Sequence, residues 1–248
     1  MKSMKLTILG NNGPYPAAGG ACSGYLLREG NTNILIDCGN GVLSNLQKFV
    51  PFEELDAIIL THLHSDHISD MMVLKYAVQI KKKRGRFDKN LSVYAPAEPA
   101  EEYKRLDVKD AFDLKPITED LVLDIGGIKV TFAEMKHPSL DFAVSFQHHG
   151  KSFVFSGDTS WTENILSFAK NAHMLMLDAG LFAREKTSSS VPHLTAEECG
   201  IIASNATVGQ LLLTHFWPEN NIEELVAEAR ENFENTIAAM LLKEYEII

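Results

Sequence analysis

The chain has 248 residues, 45% of them apolar, which is enough for a sizeable core and fits one large domain or two small ones. Its formal net charge of −10 argues against a protein that coats long nucleic acid, because neutralising phosphates needs basic surface. No run approaches the ~18 apolar residues of a membrane span. The three cysteines, Cys22, Cys38 and Cys199, lack a C-x-x-C pair and read as reduced cytoplasmic thiols rather than a disulfide framework.

The first residues run into a strand at Leu6-Thr7-Ile8-Leu9 with no signal-peptide core. Residues 10–20 are rich in glycine and proline and read as a loop at the rim of a pocket. They lack the G-x-G-x-x-G spacing of a dinucleotide loop. Residues 21–28 and 33–37 form a hairpin that ends in Ile36-Asp37-Cys38-Gly39. Helical spacing over residues 41–49 places Val42, Leu43, Leu46 and Phe49 on one face, and Pro51 stops it.

The apolar run Ala57-Ile58-Ile59-Leu60 then reads as a buried strand, followed at once by Thr61-His62-Leu63-His64-Ser65-Asp66-His67. On a continuing strand, His62, His64 and Asp66 would face one way and His67 the other. A turn into a helix near Asp66 would let all four converge. Imidazole nitrogen and carboxylate oxygen at this density point to a metal site. Asp37, ending an apolar strand, is costly to bury unless hydrogen-bonded, so it is expected to orient the ligand loop or a ligand histidine.

A helix is expected over residues 68–80, with Met71 and Met72 as core filling. The basic run 81–86 reads as a solvated loop ending that helix, its cations near the helix C-terminus, with steering of an anionic substrate as the alternative. A strand at 91–95, a helix at 99–106 and strands at 121–123 and 128–133 follow, the last two joined at Gly126-Gly127. His137 precedes Pro138, which biases it to an extended conformation at a strand end. Residues 142–147 and 152–155 form a hairpin around His148-His149-Gly150. Those two histidines and His173 are assigned to the surface. That hairpin ends in Ser156-Gly157-Asp158-Thr159, where an aspartate after glycine can turn its carboxylate inward.

Residues 174–179 read as a buried strand. Thr195 and Glu198 make a capping box for a helix, and His193 lies just before that helix N-terminus, a place suited to anions. Leu211-Leu212-Leu213-Thr214-His215 repeats the strand-then-histidine ending of Leu60-Thr61-His62, a hint of pseudo-symmetric halves. Residues 221–233 form an amphipathic helix, and 237–248 are apolar and pack on the core.

The pattern His62, His64, Asp66, His67 resembles the H-x-H-x-D-H signature of the metallo-β-lactamase superfamily. The order continues with His137-Pro138, S-G-D-T at Asp158, H-L-T-A-E at His193 and L-T-H-F at His215, and is most similar to the ribonuclease Z-like phosphodiesterase branch. The resemblance implies an α+β fold, an αββα sandwich of two mixed sheets flanked by helices, over residues 1–248 as a single domain. It also implies two metal sites: His62, His64 and His137 for one, and Asp66, His67 and His215 for the other, with Asp158 bridging. Zinc suits these ligands, and manganese and iron fit the same types. Two such ions roughly 3.5–4 Å apart can share a hydroxide nucleophile. Asp66 and His193 are the catalytic candidates, His193 as proton donor to the leaving oxygen.

Two departures from ribonuclease Z stand out. Only 21 positions separate His137 from Asp158, which leaves no room for an inserted tRNA-gripping arm. Position 155 is Phe, where ribonuclease Z carries a glutamate that partners its catalytic histidine. The expected function is therefore a cytoplasmic dinuclear metallo-phosphodiesterase acting on a small anionic phosphodiester or short RNA. Dimers are common in the family, so a homodimer is an expectation too. A lactonase or thioesterase is the alternative enzyme, and a non-catalytic metal-binding interaction protein the alternative of a different class.

Overall fold

A computed structural model describes residues 3–188 and 190–248. The first half of the chain builds one sheet from β1 (Lys5–Gly10), β2 (Gly24–Glu29), β3 (Thr32–Ile36), β4 (Ala57–Ile59), β5 (Leu91–Ala95) and β6 (Phe112–Pro116). Helices α1 (Val42–Leu46), α2 (Ser65–Ile68), α3 (Met71–Lys83) and α4 (Ala100–Leu106) occupy its connections. The second half builds another from β7 (Leu123–Ile125), β8 (Ile128–Glu134), β9 (Phe142–His148), β10 (Lys151–Phe155), β11 (Met174–Asp178), β12 (Gln210–Thr214) and β13 (Thr236–Ala238). Helices α5 (Glu163–Phe168), α6 (Ala196–Asn205) and α7 (Ile222–Arg230) accompany it, and β14 (Glu244–Glu246) returns to the first sheet beside β1.

The two sheets have the same plan. The first runs β14-β1-β2-β3-β4-β5-β6 and the second β13-β12-β11-β10-β9-β8-β7. From β14 in the first and from β7 in the second, three antiparallel pairings are followed by three parallel ones. The hinted halves are real, but the two histidine endings are not equivalent by position. Counted from β14 and from β7, β4 stands fifth and β12 sixth, so the counterpart of β4 is β11.

Strand residues alternate between two buried environments. Leu6, Tyr25, Ile34 and Ile59 meet Val130, Phe146, Phe153 and Phe155 between the sheets. Leu26, Leu35 and Ile58 face outward under α1, α3 and α4, in a cluster with Val42, Leu74 and Leu106. Leu175, Leu177 and Leu211 do the same under α5, α6 and α7. Strands buried on both faces read as continuous apolar runs, which is why β4, β11 and β12 are so evident in the sequence. The result is the αββα sandwich.

Local differences from the sequence reading have simple causes. The helix expected at 41–49 shrinks to five residues, and that at 68–80 starts at Met71 after the short α2. The strand placed at 121–123 lies at Leu123–Ile125. β6 gave no sequence signal: it is an edge strand on which only Phe112 is buried, and it ends in Pro116. The C-terminal stretch packs on the core as expected, but as strands β13 and β14. Met71 is fully buried in the outer cluster, the role expected of it.

Phe155 explains one departure from ribonuclease Z. Its ring is 1% exposed and meets Tyr25 edge-on at 4.9 Å between centroids, in the core between the sheets. A carboxylate in that orientation would be a buried, unpaired charge. Phe155→Ala is expected to cost ~3–5 kcal/mol of stability by opening a core cavity. Urea unfolding checks it, and a loss under 1 kcal/mol would mean that this ring does not anchor the two sheets.

Candidate metal centre

The predicted residues come from loops that follow strands of both sheets. After β4 the chain does not continue as a strand. It turns into α2 at Ser65, with His64 extended just before it. This is the turn that lets His62, His64, Asp66 and His67 converge. Asp37 follows β3 in a left-handed conformation, φ 54°, and its carboxylate accepts from Thr61 N (2.8 Å), Thr61 Oγ1 (3.0 Å) and His67 Nδ1 (2.8 Å). One buried carboxylate therefore fixes both ends of the ligand loop, as its place at a strand end suggested.

His62 is held in the same way. Its Nδ1 lies 2.7 Å from Asp141 Oδ2, and that oxygen also accepts the backbone N–H of Asp158 at 3.0 Å. A side chain at Gly157 would collide with Asp141, and Gly157 adopts φ 62°, so glycine meets both demands there. His215 follows β12 at φ 58°, a left-handed position rare for residues with a Cβ. The loop at residues 10–20 packs against it, and any side chain at Gly13 would strike the imidazole.

Three groups of ligand-type atoms result. His62, His64 and His137 form the first, with ring centroids 4.7–5.0 Å apart. Asp66, His67, Asp158 and His215 form the second, and Asp158, Asp178, His193 and His215 a third that shares Asp158 and His215 with it. Asp158 stands between the first two: Oδ2 is 3.8 Å from His62 Nε2 and 3.3 Å from His215 Nε2, and Oδ1 is 3.4 Å from His67 Nε2. Asp66 Oδ2 lies 3.2 Å from His215 Nε2 and 3.6 Å from His67 Nε2. In each group the ligand-type atoms all lie within 4.8 Å of one another, close enough to share one ion.

The donor set fits a cation. Among the described residues, His62 Nε2, His67 Nε2, His137 Nδ1 and Asp158 Oδ1 are buried without a hydrogen-bond partner. Each such orphan costs ~1–3 kcal/mol, and cations held by the first two groups would satisfy them. Burial, with the His67 charge nearby, pushes His62 down to about 3, and burial also pushes His137 to about 3. These are neutral imidazoles, as ligation requires. In the second group burial opposes charge on His67 and His215, but Asp158 and neighbouring carboxylates outweigh it and raise both well above the usual range. Protons there balance the acidic cluster, and a metal ion would displace them.

His193 completes the centre. Its ring is 5.3 Å from His215 and 5.8 Å from His137, centroid to centroid, and it is 16% exposed at the open side. Nδ1 lies 2.6 Å from Asp178 Oδ2 at the end of β11. Burial disfavours charge on His193, but Asp178 outweighs it and raises the imidazole above its usual range. Asp178 Oδ1 also sits 3.3 Å from His215 Nδ1. Thus the carboxylate partner missing at position 155 is supplied from the next strand.

Sequence reasoning missed Asp141 and Asp178. Asp178 carried the signal used for Asp37, an aspartate ending a buried apolar strand. Asp141 sits in an unpatterned loop and carried none. The expected surface histidines lie elsewhere: His148 and His149 at the β9–β10 turn, and His173 before β11.

The profile of the β-lactamase superfamily domain matches residues 32–216, most of the chain and all of this constellation from Asp37 to His215. The chain belongs to the metallo-β-lactamase superfamily. Within it, the chain is 33% identical over 234 residues to the "Probable metallo-hydrolase YhfI" of Bacillus subtilis, covering 94% of this chain and 96% of that protein. The crystal structure of YhfI, a metallo-β-lactamase fold protein, superposes with a TM-score of 0.94 over 98% of this chain and 99% of that one, at 32% identity. A ribonuclease Z of Bradyrhizobium is 24% identical over 292 positions, covering 94% of this chain and 96% of its own length. That alignment is longer than this chain, so it contains positions with no counterpart here. A diphosphatase of the PhnP family shares the fold, with a TM-score of 0.78 at 17% identity over 99% of this chain and 98% of its own.

Membership of this superfamily implies divalent metal ions. Carboxylates that accept from a ligand histidine typically tune metal affinity 10–100-fold. Asp141→Ala is therefore expected to weaken metal retention ~10–100-fold, measured by competition with a chromogenic chelator. Retention equal to the parent protein would separate Asp141 from metal binding.

Proposed function

We propose that this metallo-hydrolase of the β-lactamase fold is a dinuclear phosphodiesterase acting on a small phosphodiester or short RNA. One ion would be held by His62, His64 and His137, the other by Asp66, His67 and His215, with Asp158 shared. The observation that carries the reading is the set of buried ligand-type atoms without a hydrogen-bond partner on His62, His67, His137 and Asp158. Ligands drawn from both sheets also favour residues 1–248 acting as one domain. Imidazole and carboxylate suit zinc.

Ions bound there supply Lewis acidity and a water made nucleophilic near neutral pH. The chain's own groups do the rest. Asp66, at 11% side-chain exposure against 3% for Asp158, is the more open carboxylate and can orient the attacking water. Attack on phosphorus breaks the bond to the leaving oxygen, which takes the Nε2 proton of His193. Asp178 keeps the Nδ1 proton in place and fixes the ring. Phosphate chemistry is favoured by the names of two relatives, ribonuclease Z and diphosphatase. A small substrate is favoured by the chain between His137 and Asp158, where β9 and β10 take up most of the positions and no arm extends.

Metal-stripped protein reloaded with zinc or manganese is expected to hydrolyse bis-p-nitrophenyl phosphate with two ions per chain, and Asp158→Ala to lose both turnover and one ion or more. Two ions without turnover on this ester, but with turnover on a lactone or thioester panel, would replace the phosphodiesterase reading by the carbonyl one. His193→Ala should lower kcat ~10²–10⁴-fold with metal content intact. Loss of metal in that variant would make His193 a ligand instead.

A further inference from the structure

Six of the nine histidines gather at the metal centre. The other three, His148, His149 and His173, come together in one groove of about 670 Å³, with Lys129, Lys151 and Lys170. The groove is formed by the start of β8, the β9–β10 turn and the segment between α5 and β11. It lies at the beginnings of β10 and β11, whose far ends lead to Asp158 and Asp178. A five-residue strand separates the two places by ~17 Å.

Three lysines and no carboxylate are among the groove's lining residues, in a chain whose net charge is −10, while Asp124, across from Lys129, stands at its edge, its Oδ1 accepting from Gly127 N at 2.9 Å. The lysine and arginine ion pairs among the described residues involve Lys5, Arg28, Lys81, Arg105, Lys109 and Lys186, and none of the three groove lysines. The imidazoles are oriented. His148 Nδ1 donates to Gly127 O at 2.9 Å, and its Nε2 is 3.9 Å from Glu29 Oε1, a distant pair. His173 Nδ1 accepts the backbone N–H of Ser152 at 3.2 Å, which leaves its proton on Nε2 as a donor.

The geometry points to a second binding site here, for a compact ligand carrying two phosphate groups. Three ammonium groups match two phosphate monoesters, which together carry about −3 to −4. A single carboxylate would leave two of them uncompensated. The volume is that of a small-molecule site. The chain's net charge of −10 disfavours a long polyanion, whereas a compact one can be matched by the three lysines alone.

Fructose 1,6-bisphosphate is a suitable probe, titrated calorimetrically into the metal-loaded protein at low salt. Saturable binding is expected, weakened by added salt and ~10-fold or more in the K151Q/K170Q variant. Both lysines are exposed, and neither belongs to the metal centre, so turnover of bis-p-nitrophenyl phosphate should stay the same in that variant. Three results would overturn the assignment: no saturable binding by the parent protein; equal affinity in the variant, which would place the ligand at the metals; or equal affinity for propane-1,2,3-tricarboxylate, which would make the groove indifferent to phosphate. The groove stands or falls independently of the phosphodiesterase reading.

Discussion

The centre depends on buried carboxylates that grip histidines from behind. Asp37, Asp141 and Asp178 are each fully buried, and each lies within 2.6–2.8 Å of the Nδ1 of an imidazole: His67, His62 and His193. Taking a carboxylate out of water costs several kcal/mol, so these positions are stable only because their hydrogen bonds are made. The contact also sets direction. A histidine held by Nδ1 presents Nε2, and for His62 and His67 that nitrogen is turned towards Asp158. Asp37 extends the control to the backbone through Thr61, so the shape of the whole H-x-H-x-D-H turn follows from one side chain.

The sandwich supplies the scaffold for this. Parallel strands buried on both faces leave polar residues only at their ends, and β3, β4, β10, β11 and β12 all end at the centre. Asp37, His62, Asp158, Asp178 and His215 follow or close those five strands. Repetition of one sheet plan brings two such ends face to face, and the repeated strands contribute different residue types. His62 follows β4, while its positional counterpart β11 closes with Asp178. The symmetry is of backbone, and the chemistry is asymmetric.

Much of this was legible in the chain. The buried runs of β4, β11 and β12 announced themselves by continuous apolar residues, and the ligand-type residues by their chemistry at strand ends. Folding brings His62, His64 and His137 into one group and Asp66, His67, Asp158 and His215 into another. What the sequence hid was what depends on contact between distant segments. Asp141 acquires its role only because the loop before β9 lies behind His62. The partner of His193 was sought at position 155, but that side chain faces the core between the sheets, and Asp178 faces the histidine instead. Edge strands such as β6, with a single buried residue, have no periodicity to read. The three histidines set aside as surface were individually ordinary, and only folding places them in one groove.

The position of β14 has a consequence for the edge of the first sheet. It pairs with β1 in register Lys5 to Glu246, Leu6 to Tyr245 and Thr7 to Glu244, and Glu244 forms ion pairs with Lys5 and Arg28. β14 therefore covers the edge of β1 that does not pair with β2. Without it, β1 would present an open row of amide and carbonyl groups, the kind of edge that promotes mispairing with another strand.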